Sequence, residues 1–202
     1  MTSKKTEQRL ASTGRLLDSA LHLFVSKGYR STNLEQIAGA AKLSKGTVFF
    51  YFGSKEAVLL ELLKRVQSIV VDEALATAEQ AGPRASDQIV AFLHHQAELG
   101  VTHRDEVLLL ILMSLEFGGH EGAVSREIRK IYRRLYAFVE SIIRRGRRSG
   151  ELRTDLSPRE LAAIIMANHD GTFLEWYRRS DSLKGTALVR ALREVILSGV
   201  KK

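Results

Sequence analysis

Apolar residues recur along most of this chain at the three-to-four-residue spacing of one-sided helices. Leu17, Ala20, Leu21 and Phe24 stand at i, i+3, i+4 and i+7 and predict a first helix over 9–27, which Gly28 ends. Residues 1–8 precede it as a flexible polar arm carrying Lys4 and Lys5. Leu34, Ile37, Ala38 and Ala41 predict a short second helix over 34–41, with Thr32-x-x-Glu35 as its capping box. The turn Lys42-Leu43 leads to Ser44, an N-cap for a third helix over 45–51. Ser54 caps a fourth that runs to Gln80, where Gly82-Pro83 breaks it.

Further helices are predicted over 85–102, 104–117, 122–149, 157–179 and 185–199. The clearest start is Ser157-Pro158-Arg159-Glu160: an N-cap, a proline at the first helical position and the glutamate of a capping box. Strand-like alternation does not stand out, and 202 residues hold only 2 prolines. The expected fold class is all-α with about nine helices. A helix-turn-helix domain over 1–53 precedes a larger helical domain over 54–202.

Charge adds a partner to this outline. The chain carries a net charge of +8, unevenly spread. Residues 1–55 hold nine Lys/Arg against three Asp/Glu, and residues 126–153 hold ten against three, so the remainder is acidic. A basic first domain suits a polyanion. The arginines at 133, 134, 144, 145, 147 and 148 cover more than one side of a helix and read as a solvated face. With no cysteine, disulfides and thiolate chemistry are excluded. The longest apolar stretch, Val107–Met113, is far shorter than the roughly 20 residues that span a bilayer. The expectation is a cytoplasmic protein with no membrane partner, no metal and no cofactor.

Two short helices joined by a tight turn form a helix-turn-helix, whose second helix enters the major groove by its N-terminal end. Here that end reads Ser44-Lys45-Gly46-Thr47. A lysine meets a phosphate or a guanine edge, glycine allows close backbone approach, and threonine offers a hydroxyl and a methyl to base edges. Double-stranded operator DNA is the partner this predicts. Phe49 and Phe52, at i and i+3, are expected in the core, while Phe50 is left on the exposed face.

Thr32-Asn33-Leu34-Glu35-Gln36-Ile37-Ala38, followed by the unbroken run from Ala41 to Glu56, resembles the N-terminal signature of the TetR family of transcriptional repressors. The resemblance is strong over 10–60; beyond that only helix number and length match. It implies phosphate contacts from Thr32, Tyr51 and Lys55, and base or backbone contacts from Lys45, Gly46, Thr47 and Phe50. Two positions depart from the family pattern. Lys42 stands where many relatives have glycine, a turn position with positive φ that costs a side chain roughly 1 kcal/mol; a phosphate contact from its ammonium offsets part of that. Phe49 stands where many have tyrosine, so a hydrogen bond through that ring is lost.

One helix-turn-helix covers few base pairs, so a homodimer is expected, with half-sites about 34–36 Å apart on a pseudo-palindrome. Ala163, Ala167 and Gly171 form a small-residue stripe on one helix, and Leu188, Leu192 and Ile196 mark the last; the resemblance implies that these two helices pair with their symmetry mates. The opposite face of the 157–179 helix carries His169, Phe173 and Trp176. With Phe92, His95, Met113, Glu116, Phe117 and Tyr136 these have the composition of a small-molecule pocket as much as of a core. They are the candidates for an unidentified effector.

Other classes fit less well. No phosphate-binding glycine loop or His-x-x-x-His spacing is present, and the adjacent His94 and His95 point apart on a helix. An architectural DNA protein has no use for so large a second domain. Activation rather than repression is not distinguished by sequence. The combined expectation is a dimeric, ligand-released repressor and not an enzyme.

Overall fold

A computed structural model describes residues 4–201, and among them all regular secondary structure is helical apart from one isolated bridge between Leu152 and Lys201. The helices are α1 (Lys4–Lys27), α2 (Leu34–Ala40), α3 (Lys45–Phe52), α4 (Lys55–Val66), α5 (Glu73–Gln80), α6 (Ala85–Thr102), α7 (Arg104–Glu116), α8 (Ala123–Arg148), α9 (Pro158–Arg178) and α10 (Gly185–Val200). A π-helical turn, Gln67–Asp72, joins α4 to α5 without a break, so the described residues form nine rods, as the periodicity predicts. Residues 1–3 of the predicted arm lie outside the described residues. From Lys4 onward the chain is already helical, a correction to the expectation of a flexible arm.

The chain divides into two compact units. The first combines everything up to Gln67 with Asp105–Arg129; the second combines Ser68–Arg104 with the chain from Lys130 onward. The first unit therefore extends well past residue 53. So small a unit as α1 with the two short helices α2 and α3 buries little apolar surface by itself, and α4 supplies Val58, Leu59, Leu62, Leu63 and Val66, all fully buried. An arginine ties this unit together: Arg65 of α4 pairs with Asp18 of α1 and, at 3.1 Å, with the buried Glu106 of α7. The other end of α7 is held by Arg30, 3.1 Å from Glu116, and by Phe117 set edge-on to Tyr29.

In the second unit the start of α6 is capped from a distance. Glu151 accepts from the backbone N–H groups of Ala85 and Ser86, both at 2.9 Å, and from the Ser86 hydroxyl. Burial raises the Glu151 carboxyl, but these bonds and Arg84 outweigh it and hold it below its ordinary range. Beside this cap α8 passes so close that Gly146 has no room for a side chain: a Cβ there would lie 2.5 Å from that of Ala85. The π-helical turn is secured by Gln96, whose Nε2 donates to the Val70 carbonyl at 3.0 Å.

Candidate nucleic-acid interface and ligand cavity

The two short helices are positioned by caps and one strained turn. The capping box falls one residue later than the pattern Thr32-x-x-Glu35 suggests. Asn33 is the N-cap of α2, accepting from Gln36 N–H, while the Gln36 side chain accepts from Asn33 N–H, both at 2.9 Å. Thr32 is displaced from the cap because its side chain is buried, 1% exposed, with Oγ1 donating to the carbonyls of Gly28 and Leu23 at the end of α1. The hydroxyl expected to meet a phosphate is thus turned inward, against the end of α1.

Lys42 takes φ = 55°, the one positive φ outside glycine among the described residues. The departure read from sequence is thus a genuine left-handed position, with the lysine exposed at the turn. Ser44 then caps α3, its Oγ accepting from Thr47 N–H at 3.2 Å and lying 2.9 Å from Thr47 Oγ1.

On α3, Val48 takes the inward position and is fully buried. Successive residues are turned about 100° apart on a helix, so Phe49 is carried outward and is 47% exposed, against the expectation of a core residue. Phe52 is half-buried. Phe50 is 80% exposed and edge-on to Tyr51, as an outward-facing aromatic should be. Gly46 is exposed, with only Ser44 Oγ near a Cβ built there, at 3.7 Å.

Lys45 projects beside the Phe49 ring, 5.9 Å from its centroid, and pairs with Glu35 of α2. That hydrogen bond holds the Glu35 carboxyl below its ordinary range. Glu35 places a negative group on the face the basic residues share, a role that α2's own pattern does not disclose.

The polar face of α1 also borders α3, a placement its apolar spacing gave no reason to expect. An open groove runs between the start of α1 and α3, lined by Arg9, Ser12 and Arg15 on one side and Phe50 and Tyr51 on the other. The Arg9 guanidinium lies 5.8 Å from the Tyr51 ring centroid. The signal was available: Arg9, Ser12 and Arg15 stand three apart and share the polar side of an amphipathic helix.

Lys55, expected to reach outward, points inward. Its Nζ lies 2.8 Å from the Tyr29 carbonyl, 2.7 Å from that of Thr32 and 3.4 Å from that of Arg30, and 4.3 Å from the Tyr29 ring centroid. An ammonium has three donors, and all three are committed to this turn. Burial pulls the lysine below its ordinary range, opposed by Glu116. The ammonium expected to meet a phosphate is thus engaged with the turn between α1 and α2.

A cavity of about 580 Å³ lies in the second unit among α6, α9 and α10. Of the predicted effector residues, His169, Phe173 and Trp176 line it. Phe92 is packed behind them, its ring centroid 6.5 Å from that of His169. His95 does not line the cavity, and its buried Nε2 meets no hydrogen-bond partner among the described residues. Tyr136 stacks on Tyr132 away from the lining. Met113, Glu116 and Phe117 belong to the first unit, where Glu116 pairs with Arg30 and Phe117 packs on Tyr29. Helical spacing alone cannot separate residues that one long chain sends to two units.

The stripe Ala163, Ala167 and Gly171 is exposed, as are Ile164 of the same helix, at 51%, and Val195 of α10, at 64%. Leu192 and Ile196 are buried within their own chain, and Leu188 and Leu192 line the cavity, while Ala191 and Val195 are the exposed residues of that stretch of α10.

A helix-turn-helix on a basic unit, followed by a helical unit with an apolar cavity, defines a ligand-responsive class of DNA-binding regulator. Residues 16–62 match the tetR family of bacterial regulatory proteins, and residues 85–200 match the C-terminal part of BetI-type transcriptional repressors. The chain belongs to the TetR family of transcriptional regulators, a family of regulators and not of enzymes. It is similar to the MbdR regulator of Azoarcus sp. CIB, at 44% identity over 93% of this chain and 98% of that one, with a TM-score of 0.84. It is 22% identical to the fatty acid metabolism regulator protein of Bacillus subtilis over 92% of this chain and 94% of that protein. The B. subtilis regulator FadR, in complex with stearoyl-CoA, shares the fold with a TM-score of 0.74 at 21% identity, over 92% and 97% of the two chains.

Proposed function

We propose that this regulator is a dimeric repressor that leaves a pseudo-palindromic operator when a small molecule enters its helical unit. The observation that carries this reading is the pairing of an outward-facing α3, bearing Lys45, Gly46, Thr47 and Phe50, with a separate apolar cavity of about 580 Å³. That volume lies inside the 300–1,000 Å³ range of small-molecule sites. FadR, of the same fold, supports it by its complex with stearoyl-CoA.

In this reading Lys45, Gly46, Thr47 and Phe50 face base edges. Lys42 and Tyr51 meet phosphates, joined by Arg9 and Arg15 from α1. Glu35 holds Lys45 until DNA competes for it, which discourages binding to arbitrary sequence by placing a carboxylate near any phosphate that approaches. Removing the Thr47 hydroxyl and methyl with Thr47→Ala is expected to weaken operator binding by about 1–3 kcal/mol while leaving affinity for scrambled duplex nearly unchanged. Anisotropy titrations on a duplex selected by the wild-type protein from a random pool provide the test. Equal losses on both duplexes would refute a base-reading role.

The exposed stripe of α9 with Ile164 and Val195 is the dimer seam in this proposal. Small residues let two helices approach closely, and a charge at their centre is buried twice in a symmetric pair. Ala167→Glu is expected to give a monomer by sedimentation and to lower operator affinity by at least about 10²-fold, since simultaneous engagement of two half-sites is lost. A stable dimer of this variant would place the seam elsewhere. Repression itself is tested with a reporter placed behind the selected operator: expression should rise when the regulator is deleted.

A further inference from the structure

The mainly apolar lining of the cavity between α6, α9 and α10 is interrupted by polar groups at two places, on α6 and on α10, and on α9 by Thr172 and by His169, which is already paired with Asp170 at 2.9 Å. Leu93, Phe173, Trp176 and Leu188 make up its apolar wall. On the α6 side stands Gln96, 2% exposed. Its Nε2 is fixed by the Val70 carbonyl, which leaves Oε1 buried without a donor. A buried acceptor in that state costs free energy, and it lies beneath the cavity surface, out of reach of solvent.

The second place is the start of α10. Gly185 and Thr186, its first two residues, line the cavity, and the helix has no side-chain N-cap. Free N–H groups and the positive end of the helix dipole favour an anion there. The indole edge of Trp176 adjoins them: a Cβ on Gly185 would lie 3.2 Å from Trp176 Nε1. That N–H meets no acceptor among the described residues. One turn further along α10, Arg190 lines the cavity and makes no ion pair among the described residues. Arg193 is also present but is held by Glu194 at 2.7 Å. Against these stands one lining carboxylate, the exposed Glu98.

We infer that the cavity takes an amphipathic carboxylate, with its acid group at the start of α10 and its apolar body between Phe173, Trp176 and the α6 wall. The inference rests on the proposal that this cavity is the effector site, and it adds the chemical class. The acid accepts from the helix N-terminus, from Trp176 Nε1 and from Arg190.

Trp176 is the only tryptophan of the chain and sits in the cavity wall, so its fluorescence reports occupancy directly. The full-length protein is titrated with dodecanoate, dodecan-1-ol and dodecyltrimethylammonium, each below its aggregation threshold. Dodecanoate is expected to bind at least about tenfold more tightly than the alcohol, the smaller end of what charge-assisted hydrogen bonds contribute, and the cation least. Arg190→Gln is expected to remove most of that preference with an unchanged circular dichroism spectrum. The inference is overturned if the alcohol or the cation binds as well as the acid, if no probe changes Trp176 emission, or if Arg190→Gln keeps the full preference. A parallel titration follows release of the selected operator duplex. Carboxylate preference without release upholds the ligand class and refutes release by ligand.

Discussion

Lys55→Met is expected to destabilise the first unit by about 2 kcal/mol, within the 1.5–3 kcal/mol typical of a hydrogen bond to a charged group. Methionine keeps the stem but removes every donor from the turn that links α1 to α2. The carbonyls of Tyr29, Arg30 and Thr32 then lose the group that ties them to the start of α4. Urea denaturation followed by circular dichroism measures the loss. A second measurement separates this role from a phosphate contact. Releasing one phosphate contact flattens the dependence of log K on log salt by about 0.9, whereas an internal clamp leaves that slope unchanged. A flatter slope with intact stability would restore the outward reading of Lys55.

Gly146→Val should remove at least about 2 kcal/mol from the second unit, toward the upper part of the range for overpacking. A Cβ alone meets Ala85 Cβ at 2.5 Å and Leu152 Cγ at 2.6 Å. Both neighbours flank the Glu151 cap at the start of α6, so separating α8 from α6 also strains those bonds. Gly14→Ala is the control. Gly14 lies within α1 with nothing within 4 Å of a Cβ, and alanine there should stabilise by roughly 0.5–1 kcal/mol through helix propensity and a less flexible unfolded chain. Thermal melts of the two variants should move in opposite directions. A neutral Gly146→Val would mean that the α6–α8 joint is loose.

These two glycines show what local reading misses. Both sit in helical sequence, and nothing within seven residues of either distinguishes the crowded one from the free one. Lys55 makes the same point for charge. Its spacing from Ser54 and Glu56 places it in the first turn of a helix, but whether its ammonium faces DNA or three carbonyls depends on a turn 23–26 residues earlier. Thr32 and Asn33 are neighbours with equal capping chemistry. The end of α1 decides between them, because it buries the Thr32 hydroxyl and leaves Asn33 free to cap.

Helix positions were legible because they depend on short-range physics. Apolar spacing, the caps Ser44, Ser54 and Ser157, and the stops at Gly28 and Gly82-Pro83 all act within a turn or two of the residues they control. The positive φ of Lys42 and the exposure of Phe50 were readable for the same reason. The helix-turn-helix and the family it belongs to follow from that local code. Tertiary structure alone decided which side chains share a space. It sent Glu116 and Phe117 to the first unit and His169 and Trp176 to the cavity, and it turned Leu192 and Ile196 away from the exposed stripe. It also placed Arg9 and Arg15 beside Phe50. Such groupings depend on which helices pack together, a long-range property that helical periodicity does not encode.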